Sequence, residues 1–214
     1  MDEGNVESLI DRAEELYRYG HADESISIYN KLIESGINAY SKIGYIYVQG
    51  KEPVEQCVNK AVDYFKVGIE KYNCYECKIY YAGILVHNGN YEDVLKADKL
   101  FEEAEKQEPE LSMVIYQIYT SNENIKKYIK KSKDKANKFL VKADKYGFCL
   151  AKTYLAKYYF DEGQYFKYII KRIDSVYCVI YAYIMSFVNK EKLQSIYDFQ
   201  VVPKNQNVPS NDSK

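Results

Sequence analysis

The chain has 214 residues with a net charge of −1, of which 47% are hydrophobic and 29% charged, enough to form one sizeable core. No apolar run approaches the ~20 residues needed to cross a bilayer, so the sequence excludes a membrane-spanning helix. The acidic start has neither the basic nor the apolar part of a secretory signal, and we expect a cytoplasmic protein. Since the five cysteines cannot all pair within one chain, we expect free thiols.

The first predicted element is a helical hairpin over residues 6–36. Seven of its residues match the spacing of a known two-helix repeat unit, and this resemblance implies the hairpin. They are Tyr17, Gly20, Ser25, Ile26, Tyr29, Leu32 and Ile33.

Three Lys-Ala pairs predict the second helices of the next three hairpins, at residues 37–72, 73–108 and 109–147. Each lysine is followed by two bulky apolar residues at positions four and five and by a small residue at position eight. The pairs begin at Lys60, Lys96 and Lys135, and the small residues are Gly68, Ala104 and Ala143. A neighbouring helix can approach such a helix closely at its small positions. The pairs recur at near-equal steps of 36 and 39 residues, which predicts stacked hairpins.

A second pattern predicts the first helix of these hairpins and of a fifth hairpin at residues 148–173. It combines a small residue, an apolar-small pair, an aromatic residue and a terminal glycine. The clearest copy is Ala39, Ile43, Gly44, Tyr47 and Gly50. Corresponding glycines are Gly89 and Gly163, and we expect each to end its helix in a left-handed conformation.

The last part of the chain divides into two predicted regions. Residues 174–199 should form terminal capping helices, but the stretch from Val176 to Val188 is apolar nearly all round. Because a terminal helix of a stacked array normally has a polar outer face, either residues 190–199 fold back over this stretch or it meets another chain. The polar, proline-containing residues 200–214 are expected to be a disordered tail.

The alternation of these two helix patterns resembles the Sel1-like repeat, a relative of the tetratricopeptide repeat, and residues 6–36 are closer to a plain tetratricopeptide unit. The resemblance extends to about residue 173 and is carried best by residues 37–72. It implies an all-α, right-handed α-solenoid of about five hairpins with a C-terminal cap, within a single repeat domain over residues 1–199. Such a fold implies a scaffold or adaptor that binds a protein or peptide partner of unknown identity.

The 25 tyrosines, against no tryptophan, suggest where that partner binds. Many lie in predicted first helices, which line the concave face in the related folds, and tyrosine is enriched at interface hot spots. Tyr47 and Tyr159 fit the repeat pattern and are expected in the core. We predict partner contacts from Tyr45, Tyr80, Tyr116 and Tyr158 in a tyrosine-lined groove.

Charge raises two further hypotheses. Residues 1–110 contain 12 Lys/Arg and 22 Asp/Glu, whereas residues 111–214 contain 18 and 9, so opposed end charges or the apolar C-terminal helix could drive homo-oligomerisation. A lysine-rich segment at 126–138 is the alternative binding surface, for nucleic acid or an anionic surface. Its basic patch is Lys126, Lys127, Lys130, Lys131 and Lys133. Specific nucleic-acid recognition is disfavoured because the chain has only three arginines.

The sequence gives little support for catalysis, and we expect no enzyme, cofactor or metal. The two histidines, His21 and His87, are expected at helix ends and suggest no catalytic triad or dyad. No glycine-rich phosphate-binding motif is present. Cys74 and Cys77 form a C-x2-C motif without a second pair at zinc spacing, so buried thiols are favoured, while a zinc or redox role stays open as a rival.

Overall fold

A computed structural model describes residues 3–130 and 132–188, and within these ranges it is all-helical, without a β-strand. No helix among these residues has the length and hydrophobicity needed to cross a bilayer. The chain separates into two compact units, unit 1 ending at Gln107 and unit 2 beginning at Glu108. This boundary falls at the junction between two predicted hairpins.

Unit 1 is built from consecutive helical hairpins. In the described residues each first helix packs against the helix that follows it: α1 with α2, α3 with α4, and α5 with α6. The helices are α1 (Glu3–Arg18), α2 (Ala22–Glu34), α3 (Tyr40–Gln49), α4 (Val58–Tyr72), α5 (Tyr75–Asn88) and α6 (Tyr91–Gln107). Neighbouring hairpins are joined by contacts of α2 with α3, α4 with α5, and α3 with α5.

The small residues of the repeat pattern lie where helices approach most closely. A Cβ atom added at Gly44 would collide with the ring of Phe65, which is fully buried. A Cβ atom added at Gly68 would lie 2.5 Å from the Cys77 sulfur and 2.9 Å from the Tyr40 Cβ atom. The equivalent residues of later repeats, Ala104 and Ala143, are also fully buried. The repeated small positions therefore set the helix spacing, as the pattern predicts.

Helix ends also follow the sequence pattern. Gly50 and Gly89 adopt left-handed conformations directly after α3 and α5, with φ of 63° and 78°. Gly163 has φ of 69° and follows the first helix of the last described hairpin. Residues with a Cβ atom are disfavoured at such angles, so glycine stops each helix with little strain.

Lys78 occupies a position where the pattern expects a small residue, and its side chain is buried. Its amine donates to the Asn73 Oδ1 atom at 2.6 Å and to the Gln107 Oε1 atom at 3.4 Å, and pairs with Glu103 at 3.2 Å. The lysine thereby ties the end of α4 to the end of α6. These polar partners allow a charged residue at a buried repeat position.

Unit 2 contains a short 3₁₀ turn (Pro109–Leu111) followed by further helices. They are α7 (Ser112–Ser121), α8 (Glu123–Tyr128), α9 (Ser132–Lys145), α10 (Cys149–Asp161) and α11 (Tyr165–Val188). In the described part of this unit, α7 pairs with α9 and α10 with α11, and α9 contacts α10. Met113, Leu140, Ala143, Ala151 and Leu155 form one of its core clusters.

Helix α11 differs from the expected end of the fifth hairpin near residue 173. It continues without a break through the predicted start of the terminal helices at residue 174. Polar residues near that point bond to α9 and α10 instead of ending the helix: Lys171 pairs with Asp144 at 2.6 Å, and Ser175 hydrogen-bonds Thr153 at 2.6 Å. The remaining terminal residues, 189–199, and the predicted tail lie outside the described residues.

Candidate functional site

An open cavity of about 410 Å³ lies in unit 1 and is formed mainly by the first helices of its hairpins. Helices α1, α3 and α5 contribute most of its lining, with one residue from α2 and one from the segment after α3. The lining residues are Glu14, Tyr17, Arg18, Tyr29, Ser41, Lys42, Tyr45, Ile46, Lys51, Glu76 and Tyr80. We call this cavity the groove.

Tyrosine rings from successive hairpins form a continuous aromatic row in the groove. The ring centroids of Tyr17 and Tyr45 are 6.2 Å apart in an edge-on arrangement, and those of Tyr45 and Tyr80 are 5.5 Å apart. Phe65 stacks on Tyr80 at 5.5 Å from within the core. Because each ring is held by another, the surface is ordered without a ligand. Tyr80 nevertheless remains 39% exposed.

The polar groups of the groove are held by neighbouring helices. The Lys42 amine donates to Glu14 at 2.9 Å, and the Ser41 hydroxyl donates to Glu76. The Lys51 amine donates to the backbone carbonyls of Tyr17 and Arg18 at 2.7 and 2.9 Å, and lies 4.9 Å from the centre of the Tyr17 ring. Lys51 therefore places a positive charge at the C-terminal end of α1, where the helix dipole favours it.

Burial raises the pKa of three phenols of the groove. It raises the pKa of Tyr29 to about 12, with a further contribution from the Glu14 carboxylate. It also raises the pKa of Tyr80, assisted by Glu76, and that of Tyr17, assisted by Tyr45. These hydroxyls are therefore hydrogen-bond donors throughout the neutral pH range.

The structure brings two of the four predicted contact tyrosines together, Tyr45 and Tyr80, on the groove. Tyr116 and Tyr158 lie in unit 2, half-buried against its core. Tyr116 packs against Tyr154 with centroids 5.5 Å apart, and Tyr158 packs against Tyr159 at 5.4 Å. Burial raises the pKa of Tyr116 as well.

Several other first-helix tyrosines are not available as contacts. Tyr40, Tyr81 and Tyr119 are buried in helix interfaces. Tyr47 and Tyr159, expected in the core, are half-buried and pack against the core clusters. The Tyr47 ring stacks on Tyr64, and the Tyr159 ring lies tilted against Tyr158. Membership of a first helix therefore does not by itself place a ring on the exposed face.

The lysine-rich segment includes the short helix α8, whose apolar residue Ile125 is buried, as is Ile129 just after it. The four described lysines of the patch are exposed, whereas Lys131 lies outside the described residues. Lys126 pairs with Glu123 at 2.7 Å and Lys133 with Glu162 at 3.2 Å. Lys127 lies 4.7 Å from the Tyr128 ring centre. Part of the patch charge is thus compensated within unit 2.

Helix α11 carries a second candidate surface. Its stripe of apolar residues at spacings of three and four remains 52–77% exposed: Phe166, Ile169, Ile173, Val176 and Ile180. The opposite side faces α10 and contains the buried Cys178 and Ser175. The stripe therefore lies away from the unit's own core.

The remaining chemistry-bearing residues do not form a metal site: no group of three or more His, Cys, Asp and Glu within residues 3–130 and 132–188 could hold an ion. His21 precedes α2 and contacts Glu24 at 3.2 Å, while the exposed His87 lies in the last turn of α5, so both occupy the predicted helix ends. Cys74 directly precedes α5 and contacts Cys77 in its first turn.

The sequence predicted two of the eleven groove residues as contacts, Tyr45 and Tyr80, and missed the others, among them Tyr17, Arg18 and Lys51. The sequence places Tyr17 in the first repeat pattern and by itself assigns no role to Lys51. A signal existed, since Tyr17, Tyr45 and Tyr80 occupy first helices of successive hairpins, but only contacts between hairpins show that their rings meet.

No family model matches this chain, and neither do any of the curated proteins or solved structures compared with it.

Proposed function

We propose that this chain is a non-catalytic interaction module that binds a segment of a partner protein in the groove of unit 1. The observation that carries this proposal is the row of Tyr17, Tyr45 and Tyr80 across an open cavity built by three successive hairpins. A cavity of about 410 Å³ falls within the ~300–1,000 Å³ range of ligand pockets, and accommodates one or two anchoring side chains of a peptide.

Preorganisation supports binding at this site. The rings already contact one another, and Phe65 supports Tyr80 from the core, so few side chains must be ordered when a partner arrives. Ordering a side chain at an interface costs about 0.5–1.5 kcal/mol, which this arrangement largely avoids. Partly exposed tyrosines offer both a ring face and a hydroxyl donor, the combination favoured at interface hot spots.

The charges of the groove indicate the chemistry of its ligand. Three cationic side chains and two carboxylates line it. Glu14 is paired with Lys42 and Glu76 accepts from Ser41, whereas Arg18 is exposed at the edge. We therefore propose an aromatic or aliphatic anchor residue flanked by a carboxylate that meets Arg18 and Lys51.

The finer fold assignment is also a proposal. We infer a right-handed α-solenoid of the Sel1-like and tetratricopeptide-like type. Within unit 1, the chain-order pairing of helices and the contact of α3 with α5 support it. The close helix contacts at Gly44 and Gly68 support it as well.

The function is tested with a displayed library of random linear peptides selected on the purified chain. Peptides enriched on the wild type should bind Tyr45→Ala and Tyr80→Ala at least about tenfold more weakly, equivalent to about 1.4 kcal/mol each. Tyr19→Ala is the matched control, because Tyr19 is 70% exposed and does not line the groove. Failure to enrich any peptide that discriminates the groove variants from Tyr19→Ala would contradict the proposal.

We also infer self-association through α11, a second function favoured by its exposed stripe. Phe166, Ile173 and Ile180 recur every seven residues, with Ile169 and Val176 between them, as in a coiled-coil seam. Positions beside the seam usually carry charges that select a different partner. The flanking residues here are Tyr165, Ile170, Arg172, Tyr177 and Val179, and among these five Arg172 is the one charged residue. The stripe therefore has little charge to specify a foreign helix and complements a second copy of itself.

The lysine-rich segment keeps nucleic-acid binding as the weaker alternative. Two of its described lysines already have carboxylate partners, which reduces the charge available to phosphates. A titration of single-stranded RNA at low ionic strength tests this alternative, because phosphate binding should weaken steeply with added salt.

A further inference from the structure

Two cysteines at the N-terminus of α5 have a geometry that the groove does not use. Cys74 is the residue before the helix and has an extended backbone, with φ of −63° and ψ of 117°. Its sulfur accepts a hydrogen bond from the Cys77 backbone N–H at 3.4 Å. Since the Cys77 N–H is one of the unpaired donors of a helix start, the sulfur acts as the helix cap.

The two side chains also contact each other directly. The Cys77 thiol and the Asn38 side chain both lie close enough to the Cys74 sulfur to lower its pKa. Cys74 is 8% exposed, whereas Cys77 is fully buried against Gly68 and Tyr40. Cys74 is therefore the more accessible residue of the pair.

We propose that Cys74 and Cys77 form a reversible dithiol–disulfide site, in which Cys74 reacts first with a small disulfide such as oxidised glutathione and Cys77 completes the bridge. The proposal is independent of partner binding in the groove. It assigns to this pair the redox role that sequence spacing alone left as a rival.

The electrostatic setting favours this order of reaction. The hydrogen bonds from the Cys77 thiol and backbone N–H, with that from Asn38, lower the pKa of Cys74 to about 6 despite its burial. The Cys74 sulfur, burial and Glu76 all raise the pKa of Cys77. At neutral pH the chain therefore presents a thiolate at Cys74 and a protonated thiol at Cys77, and the thiolate is the attacking species in disulfide exchange.

The exchange balances with glutathione disulfide as the only oxidant. The Cys74 thiolate attacks one of its sulfur atoms, the S–S bond breaks, and one glutathione leaves with the electron pair. Cys77 then loses its proton to solvent, and its sulfur attacks the Cys74 sulfur, which expels the second glutathione. Two protein thiols are oxidised to one disulfide while one glutathione disulfide is reduced to two thiols.

Unit 2 supplies an internal comparison. Cys149 and Cys178 on α10 and α11 are also hydrogen-bonded, but burial, followed by Cys178, raises the pKa of Cys149 to about 12. Neither residue occupies a helix-capping position, because Phe148 precedes α10. Proximity of two thiols is thus common to both cysteine pairs. A sulfur that caps a helix and has a lowered pKa is found at Cys74.

The test incubates the folded full-length chain with mixtures of reduced and oxidised glutathione, blocks free thiols by alkylation and maps peptides by mass spectrometry. Trypsin releases residues 72–78 as one peptide that contains Cys74 and Cys77 and no other cysteine. We expect this peptide to be recovered without alkyl groups and two hydrogens lighter than its dithiol form. This change should occur at a lower proportion of oxidised glutathione than Cys149 and Cys178 require. Its dithiol form should return on reduction.

Two variants check the order of attack. Cys77→Ser should accumulate glutathione on Cys74, because no second thiol is present to release it. Cys74→Ser should leave Cys77 unmodified, and serine keeps the helix cap so that folding is preserved. Circular dichroism confirms the fold of each variant. The proposal is overturned if the wild-type 72–78 peptide stays fully alkylated in excess oxidised glutathione, or if Cys149 and Cys178 bridge first.

Discussion

The two units present apolar surface in opposite ways. In unit 1, exposed rings line a cavity whose polar groups are already bonded by neighbouring helices, as shown by Tyr80 beside the Ser41–Glu76 hydrogen bond. In unit 2, α11 carries an exposed apolar stripe from Phe166 to Ile180. The comparison teaches that the same helix-pair architecture can offer a recessed site for side chains or a long seam for another helix.

The largest expected effect is on the free energy of unfolding, and it distinguishes a buried phenylalanine from an exposed one. Phe65 is fully buried against Gly44, so Phe65→Ala should lower the free energy of unfolding by about 3–5 kcal/mol. Phe166 is 77% exposed, and Phe166→Ala should change it by less than about 0.5 kcal/mol at concentrations where the chain is monomeric. Urea unfolding of both variants measures the difference. Equal losses would mean that the stripe is already packed within one chain.

The next effect concerns the seam. The double variant Ile173→Glu and Ile180→Glu should raise the dissociation constant of the self-associated form by about 100-fold, because charges would have to be buried between two helices. Sedimentation over a concentration series measures it. Lys167→Glu, on the exposed side away from the seam, is the control and should associate like the wild type. A wild type that remains monomeric at every concentration would remove self-association from the account.

A smaller effect appears at alkaline pH. Since the pKa of Tyr29 is raised to about 12, its proton is held more tightly in the folded than in the unfolded state. Its contribution to stability is complete below about pH 10 and is lost as pH rises through about 12. The wild type should therefore lose up to about 2 kcal/mol more than Tyr29→Phe over this range. Denaturant unfolding at successive pH values measures it, and parallel curves would show that the phenol is not desolvated.

The smallest expected effect is on peptide affinity, and it tests whether peptides bind the groove or the lysine-rich segment. Lys126→Glu and Lys127→Glu lie in unit 2, outside the groove lining, and should change affinity for groove-selected peptides by less than about twofold. Fluorescence anisotropy with a labelled peptide measures this. A tenfold loss would instead favour the basic segment as the binding surface.

Local patterns predicted the parts of the fold that depend on repeated spacing. The small residue Gly68 and the terminal glycines Gly50 and Gly89 are each required by a close contact or a left-handed angle, so their spacing is visible in the chain. The same reasoning placed Tyr45 and Tyr80 on the exposed side of first helices.

Features that depend on distant partners could not be predicted. Helix α11 runs past residue 174 and is fixed to α9 by the pairing of Lys171 with Asp144, which is 27 residues away and not visible in local spacing. Tyr17 joins the groove through its contact with Tyr45 of the next hairpin. The role of Cys74 depends on where α5 begins, and the C-x2-C spacing alone does not show that the first cysteine caps a helix.

The central claim is that a partner's side chains enter the groove beside Tyr80. The most direct measurement replaces Tyr80 with a photo-crosslinking phenylalanine analogue and irradiates the chain with a groove-selected peptide, using the same analogue at Tyr19 as the comparison. We expect a covalent adduct from position 80 that excess unlabelled peptide suppresses, and little adduct from position 19, which does not line the groove. Equal yields at the two positions, or none at position 80, would contradict it.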